Sequence, residues 1–163
     1  MPQAHARTSR LVRLAVLPAA ALLLAALAVP AVAQQPTRGE QAVKYRKALY
    51  QVMAWNMGPM SAMAQGKAPY NASEFARRAD RVAAVAPMLY EAYPAESQAV
   101  KDTKMKPEAW TNRADFDAKM KTMVESSGAL ATVAKTGDEA KTRSAYADLG
   151  NACKSCHDKY KAD

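Results

Sequence analysis

Four stretches of this sequence space their apolar side chains three and four residues apart, and none alternates as a strand would. In the first, Val43, Tyr50, Met53, Met57 and Met60 fall on one side of a helix running from about Gly39 to Ala64. In the second, Phe75, Ala79, Val82, Ala86 and Leu89 repeat the pattern, after a Ser73 placed to cap the start. The third carries Phe116, Met120, Met123, Ser127, Leu130 and Ala134. The fourth, from near Asp138, is lined by Tyr146, Leu149, Cys153, Cys156 and Tyr160. Stripes of this kind belong to amphipathic helices that must bury one face against each other. The punctuation agrees with that reading. Gly66-Lys67-Ala68-Pro69 ends the first helix, Gly137 separates the third from the fourth, and a longer stretch, roughly Ala92 to Asn112, joins the second to the third. Two short connections and one long one predict an all-α, antiparallel four-helix bundle.

The N-terminal segment, residues 1–33, has the layout of a secretory leader. His5, Arg7, Arg10 and Arg13 precede an apolar run from Leu14 to Val29, and Ala31-Val32-Ala33 gives a small-x-small cleavage pattern. The run, about 16 residues interrupted by Pro18, is short of the roughly 20 that span a bilayer. Cleavage after Ala33 would leave residues 34–163 as one domain of 130 residues, delivered to the periplasm and not held in a membrane. That domain has 20 Lys+Arg against 15 Asp+Glu, a net +5 dispersed as single charges, which does not point to nucleic acid.

The processed domain would contain one histidine, His157, and two cysteines, Cys153 and Cys156, all within CKSCH. A redox-active dithiol expects its pair at a helix start within an α/β pattern, whereas here it falls well inside the last helix. A structural zinc site closes with four nitrogen or sulfur ligands, and this domain offers three. Cys-x-x-Cys-His is the signature of covalent haem attachment: the two thiols form thioethers and the adjacent imidazole ligates iron. On a helix, two residues three apart project within about 60° of one another, so both can reach one edge of a flat macrocycle.

With these features together, the chain resembles the class II cytochromes c, and specifically the cytochrome c′ family. AVKYRKALY in the first helix, QGKAPY after it, PEAW before the third and CKSCHDKYK in the last carry the resemblance, which covers essentially all of 34–163. Cytochrome c′ is itself a standing example of the four-helix bundle. The resemblance implies one haem c per chain, with Cys153 and Cys156 as thioether cysteines and His157 as proximal iron ligand. It implies that Arg46 lies near the haem propionates and that Lys161 lies beside the proximal face, where the family often has arginine. Tyr50 matches the position over the open face of the iron, held by methionine in low-spin relatives and by an apolar or aromatic residue in cytochromes c′.

A phenol with pKa near 10 is a poor ligand at neutral pH, so the expectation is five-coordinate iron screened by Tyr50. Met53 and Met57 are the candidates for a sixth ligand in the alternative, a low-spin electron-transfer cytochrome with Met–His ligation. Tyr93 could stack on the haem from the long loop. The implied function is binding of the gases NO and CO together with one-electron exchange with an undefined redox partner. Without a distal histidine, peroxidase-type catalysis is not expected. The family commonly forms homodimers through its first two helices, and Trp55 could serve such a contact.

Overall fold

In the computed structural model, which describes residues 35–162, Thr37 opens the first helix, α1, Arg38–Ala64. The Thr37 hydroxyl accepts from the Glu40 N–H (3.2 Å) and the Glu40 carboxylate accepts from the Thr37 N–H (2.7 Å), a reciprocal cap. Pro59 lies inside α1 and has no N–H for the carbonyl four residues back, that of Trp55. The Arg78 guanidinium of the next helix donates to that carbonyl instead, at 3.3 Å. Gly66, at φ +71°, then turns the chain out of α1 in the left-handed conformation that glycine tolerates.

Helix α2, Ala72–Val85, is capped by Asn71, whose side chain accepts from the Glu74 N–H at 3.0 Å. Ser73, the residue expected to cap, instead donates to Asn71. The α-helix also stops short of the end of its apolar stripe. Pro87 cannot donate, and the chain continues as a tighter 3₁₀ helix, Ala86–Ala92, which still buries Leu89. The long connection carries a 3₁₀ turn, Ala95–Ser97, and one helical turn, Glu108–Thr111. Helix α3 is Arg113–Ala134 and helix α4 is Glu139–Tyr160, with Gly137 at φ +75° between them and the Asp138 carboxylate capping α4.

The four long helices form the bundle that their periodicity predicts. Val43, Met60, Phe75, Val82, Phe116, Leu130, Leu149 and Tyr160 are among the side chains that fill its core. Helix α1 packs on α2, α2 on α3 and α3 on α4. The α1–α4 pair, which would close the ring, makes few or no close backbone contacts. Elsewhere the elements approach tightly: a Cβ on Gly39 would collide with the Glu96 carbonyl oxygen. The long connection is tied to the end of α4 by an isolated antiparallel bridge between Met105 and Lys161. The expected leader, residues 1–33, lies outside the described residues. Among the described residues, no helix is long and apolar enough to cross a membrane.

Candidate cofactor site

The gap between α1 and α4 is a cavity of about 560 Å³, within the range of small-molecule sites. Helix α1 provides one wall and α4 another, while α3 and the Thr103–Met105 stretch complete it. Each of the six residues expected at the site, Arg46, Tyr50, Cys153, Cys156, His157 and Lys161, lines this cavity. Arg46 and Tyr50, 89 residues or more before the first residue of α4, reach the same cavity only through the tertiary fold.

Cys153 and Cys156 both turn towards the cavity from α4, and both are half-buried. Burial pushes each thiol above its ordinary pKa, away from the thiolate character of a redox-active pair. Among the described residues, no group of three or more His, Cys, Asp or Glu side chains is placed to hold a metal ion. His157 follows at the exposed rim of the same wall. Partial burial, and then the charge of Lys161, depress its pKa and favour the neutral, ligating imidazole.

Arg46 is the most constrained side chain of the α1 wall. It is only 2% exposed, and its Nη1 donates to Ala92 O (3.3 Å) and Ser97 Oγ (3.1 Å) while Nη2 donates to Thr103 Oγ1 (3.0 Å). The guanidinium also lies over the rings of Tyr93 (5.1 Å) and Trp110 (5.7 Å). Burial lowers its pKa, but a guanidinium remains charged, and no carboxylate of the described residues pairs with it. Lys47, Lys104, Lys119 and Lys161 add further positive charge to the lining, which includes no Asp or Glu among the described residues.

One turn along α1, the Tyr50 hydroxyl is hydrogen-bonded to that of Tyr93 at 2.7 Å. Burial first, and then the neighbouring phenol, raise the Tyr50 pKa well above 10, so it stays protonated at neutral pH. Tyr93 does not stack over the cavity, as the sequence suggested; it lies behind Tyr50 in the core, edge-on to Phe116. Five methionines complete the apolar lining: the expected Met53 and Met57, with Met105, Met120 and Met123. Met120 and Met123 were legible as part of the α3 stripe. Met105 and Tyr93 come from the long connection, where no periodicity marks a buried face.

A slot with apolar walls, two thiols and an imidazole on one side, and a buried cation at its edge fits a flat, mostly apolar group that carries acid substituents. The comparisons agree with the geometry. The family model described as Cytochrome C′ matches residues 41–161. The chain belongs to the cytochrome c′ family. It is similar to the cytochrome c′ of Allochromatium vinosum, with 37% identity over 88% of this chain and 94% of the relative. Among solved structures it is similar to cytochrome c prime from Shewanella frigidimarina, with TM-score 0.75, 39% identity and coverage of 79% of this chain and 100% of that one. It is also similar to a variant of cytochrome c prime from Alcaligenes xylosoxidans in complex with nitric oxide, with TM-score 0.71, 29% identity and coverage of 79% and 100%. Cytochromes c′ are four-helix haem proteins of electron transfer and gas binding, generally not enzymes. Their cofactor is haem c, and the two cysteines needed for its covalent attachment are present here.

Proposed function

We propose that this chain is a periplasmic c-type haem protein whose iron is five-coordinate, binds NO and CO, and exchanges single electrons. The leader-like residues 1–33 would direct export and be removed. In this reading Cys153 and Cys156 hold the porphyrin through thioethers and His157 supplies the proximal ligand. Arg46 faces the propionates, whose negative charge would balance a buried guanidinium that has no carboxylate partner. Lys161 contributes a point charge beside the proximal side, without the planar fork of an arginine. When bound, the haem would supply an iron with one axial position open to a diatomic gas and to electron exchange.

The observation that carries this reading is the Tyr50–Tyr93 hydrogen bond across the cavity from the cysteine–histidine wall. Burial first, and then Tyr93, keep the Tyr50 phenol neutral, and the bond holds it engaged, so Tyr50 screens the distal side without being a good ligand. The remaining distal lining is largely thioether and alkyl, with no histidine to donate to bound dioxygen, which accumulates negative charge. NO and CO depend less on such donation, and the NO complex of the Alcaligenes relative supports their choice as ligands.

The alternative is a low-spin electron-transfer cytochrome with Met–His ligation. It is kept in view because Met53 and Met57 line the same cavity within two turns of Tyr50. Visible spectra of the oxidised and reduced protein separate the two. High-spin bands with rapid CO binding are expected; a sharp low-spin spectrum in both states would overturn the five-coordinate assignment. Replacing Tyr50 by alanine is expected to speed CO association by removing side-chain bulk.

A further inference from the structure

We infer that Tyr93 is a positioning residue, a latch that holds the Tyr50 gate over the distal side of the cavity and sets how readily a gas ligand enters. The inference rests on the reading of Tyr50 as a gate, and it concerns a side chain that does not line the cavity. The two phenols are hydrogen-bonded at 2.7 Å, and neither hydroxyl has another hydrogen-bond partner among the described residues. They are nevertheless held very differently.

Tyr93 is 2% exposed and fixed on every side. The Arg46 guanidinium lies 5.1 Å from its ring centre, and Phe116 and Trp110 meet the ring at 4.9 and 6.1 Å. Its backbone carbonyl accepts from Arg113 Nη1 at 3.1 Å. Arg46 is in turn clamped to Ala92, Ser97 and Thr103. Tyr50, by contrast, is only half-buried and borders the open space of the cavity. Any motion that clears the distal side must therefore be a motion of Tyr50 away from a stationary Tyr93.

That motion breaks the one hydrogen bond both groups have. It leaves the Tyr93 hydroxyl, set in the core, without its one hydrogen-bond partner among the described residues. Burial already holds this hydroxyl in its neutral form, with its pKa pushed up to about 12, so it remains a phenol throughout the neutral range. Entry of a ligand is opposed by the bulk of Tyr50 and also by the bond that pins it. The resistance can be changed from a position that touches neither ligand nor cofactor.

The test uses the processed, haem-loaded protein, its Tyr50→Phe, Tyr93→Phe and double variants, and Tyr50→Ala, with CO mixed into the ferrous form. Either Phe substitution keeps the ring and its packing and deletes the bond. Each is expected to raise the CO association rate about fivefold, corresponding to about 1 kcal/mol for a net hydrogen bond. The double variant should rise no further than the single ones. A residue with a merely structural role would lower the unfolding midpoint and leave the rate alone.

Crystal structures of the Tyr93→Phe protein without gas provide a readout independent of ligand binding, and the Tyr50 ring is expected in more than one orientation. Unchanged rates in both Phe variants, with Tyr50→Ala still fast, would overturn the latch and leave the gate standing. An unchanged rate in Tyr50→Ala would remove the gate, and the latch with it.

Discussion

The Arg46 guanidinium collects three hydrogen bonds and two aromatic rings around one buried point, using the planar fork that distinguishes it from lysine. An ammonium at the same place cannot reach Ser97 and Thr103 together and also stack on Tyr93. Arg46→Lys is therefore expected to destabilise the protein by about 2–3 kcal/mol, the loss of more than one hydrogen bond to a charged donor, read as a lower urea midpoint. A shift smaller than a few tenths would mean that these contacts are not what holds the long connection against α1. Sequence made Arg46 a candidate through its KYR context, but it could not show this second, structural role. The acceptors at Ala92, Ser97 and Thr103 lie 46 to 57 residues away.

Helix α4 carries the CKSCH segment, and its last turn is anchored to α3 by a single carboxylate. Asp115 accepts from the buried Tyr160 hydroxyl and from the Lys159 ammonium, and these bonds hold its pKa below the ordinary carboxylate value, with Lys119 adding a smaller pull. A group whose pKa is depressed in the folded state contributes stability above its unfolded pKa and loses it as pH falls through the folded one. Asp115→Ala should therefore lower the thermal midpoint at neutral pH. Its difference from the parent should shrink below about pH 4 and disappear as the parent's carboxylate protonates. A difference independent of pH would assign the contact a packing role only.

The same elements show why boundaries were less legible than existence. The α2 stripe runs through Leu89, yet Pro87 ends the α-helix at Val85 because stripe spacing is blind to a missing N–H. Pro59 has no such effect on α1, since Arg78 takes up the carbonyl it abandons. That rescue requires a partner helix.

Across the assembled bundle, one face of α1 turns away from both core and cavity. Trp55 is 75% exposed there and Val52 45%, beside Ala48 and Gln51 around a shallow depression. We propose that a second copy of the chain covers this apolar face, in the homodimer that the family resemblance implies. Trp55→Glu is expected to leave the unfolding free energy of the monomer within about 0.5 kcal/mol of the parent, as exposed substitutions do, while sedimentation velocity shows conversion to monomer. A parent protein that sediments as a monomer at every concentration would end that proposal.

Two things were fully written in the linear order of residues. One is the set of four helices, because a 3.6-residue period is a local property that any window reveals. The other is the grouping of Cys153, Cys156 and His157, because they fall within five residues and one helical turn already gathers them on one side. Tertiary structure alone decided what those faces meet. A stripe says that a side chain is buried, not against which neighbour, so the spacing that placed Val43 and Met53 in the core could not announce that α1 and α4 stand apart with a cavity between them. Nor could it bring Tyr93, 43 residues beyond Tyr50, to its hydroxyl. Such contacts depend on how the long connection folds back over α1, and no local period records that path.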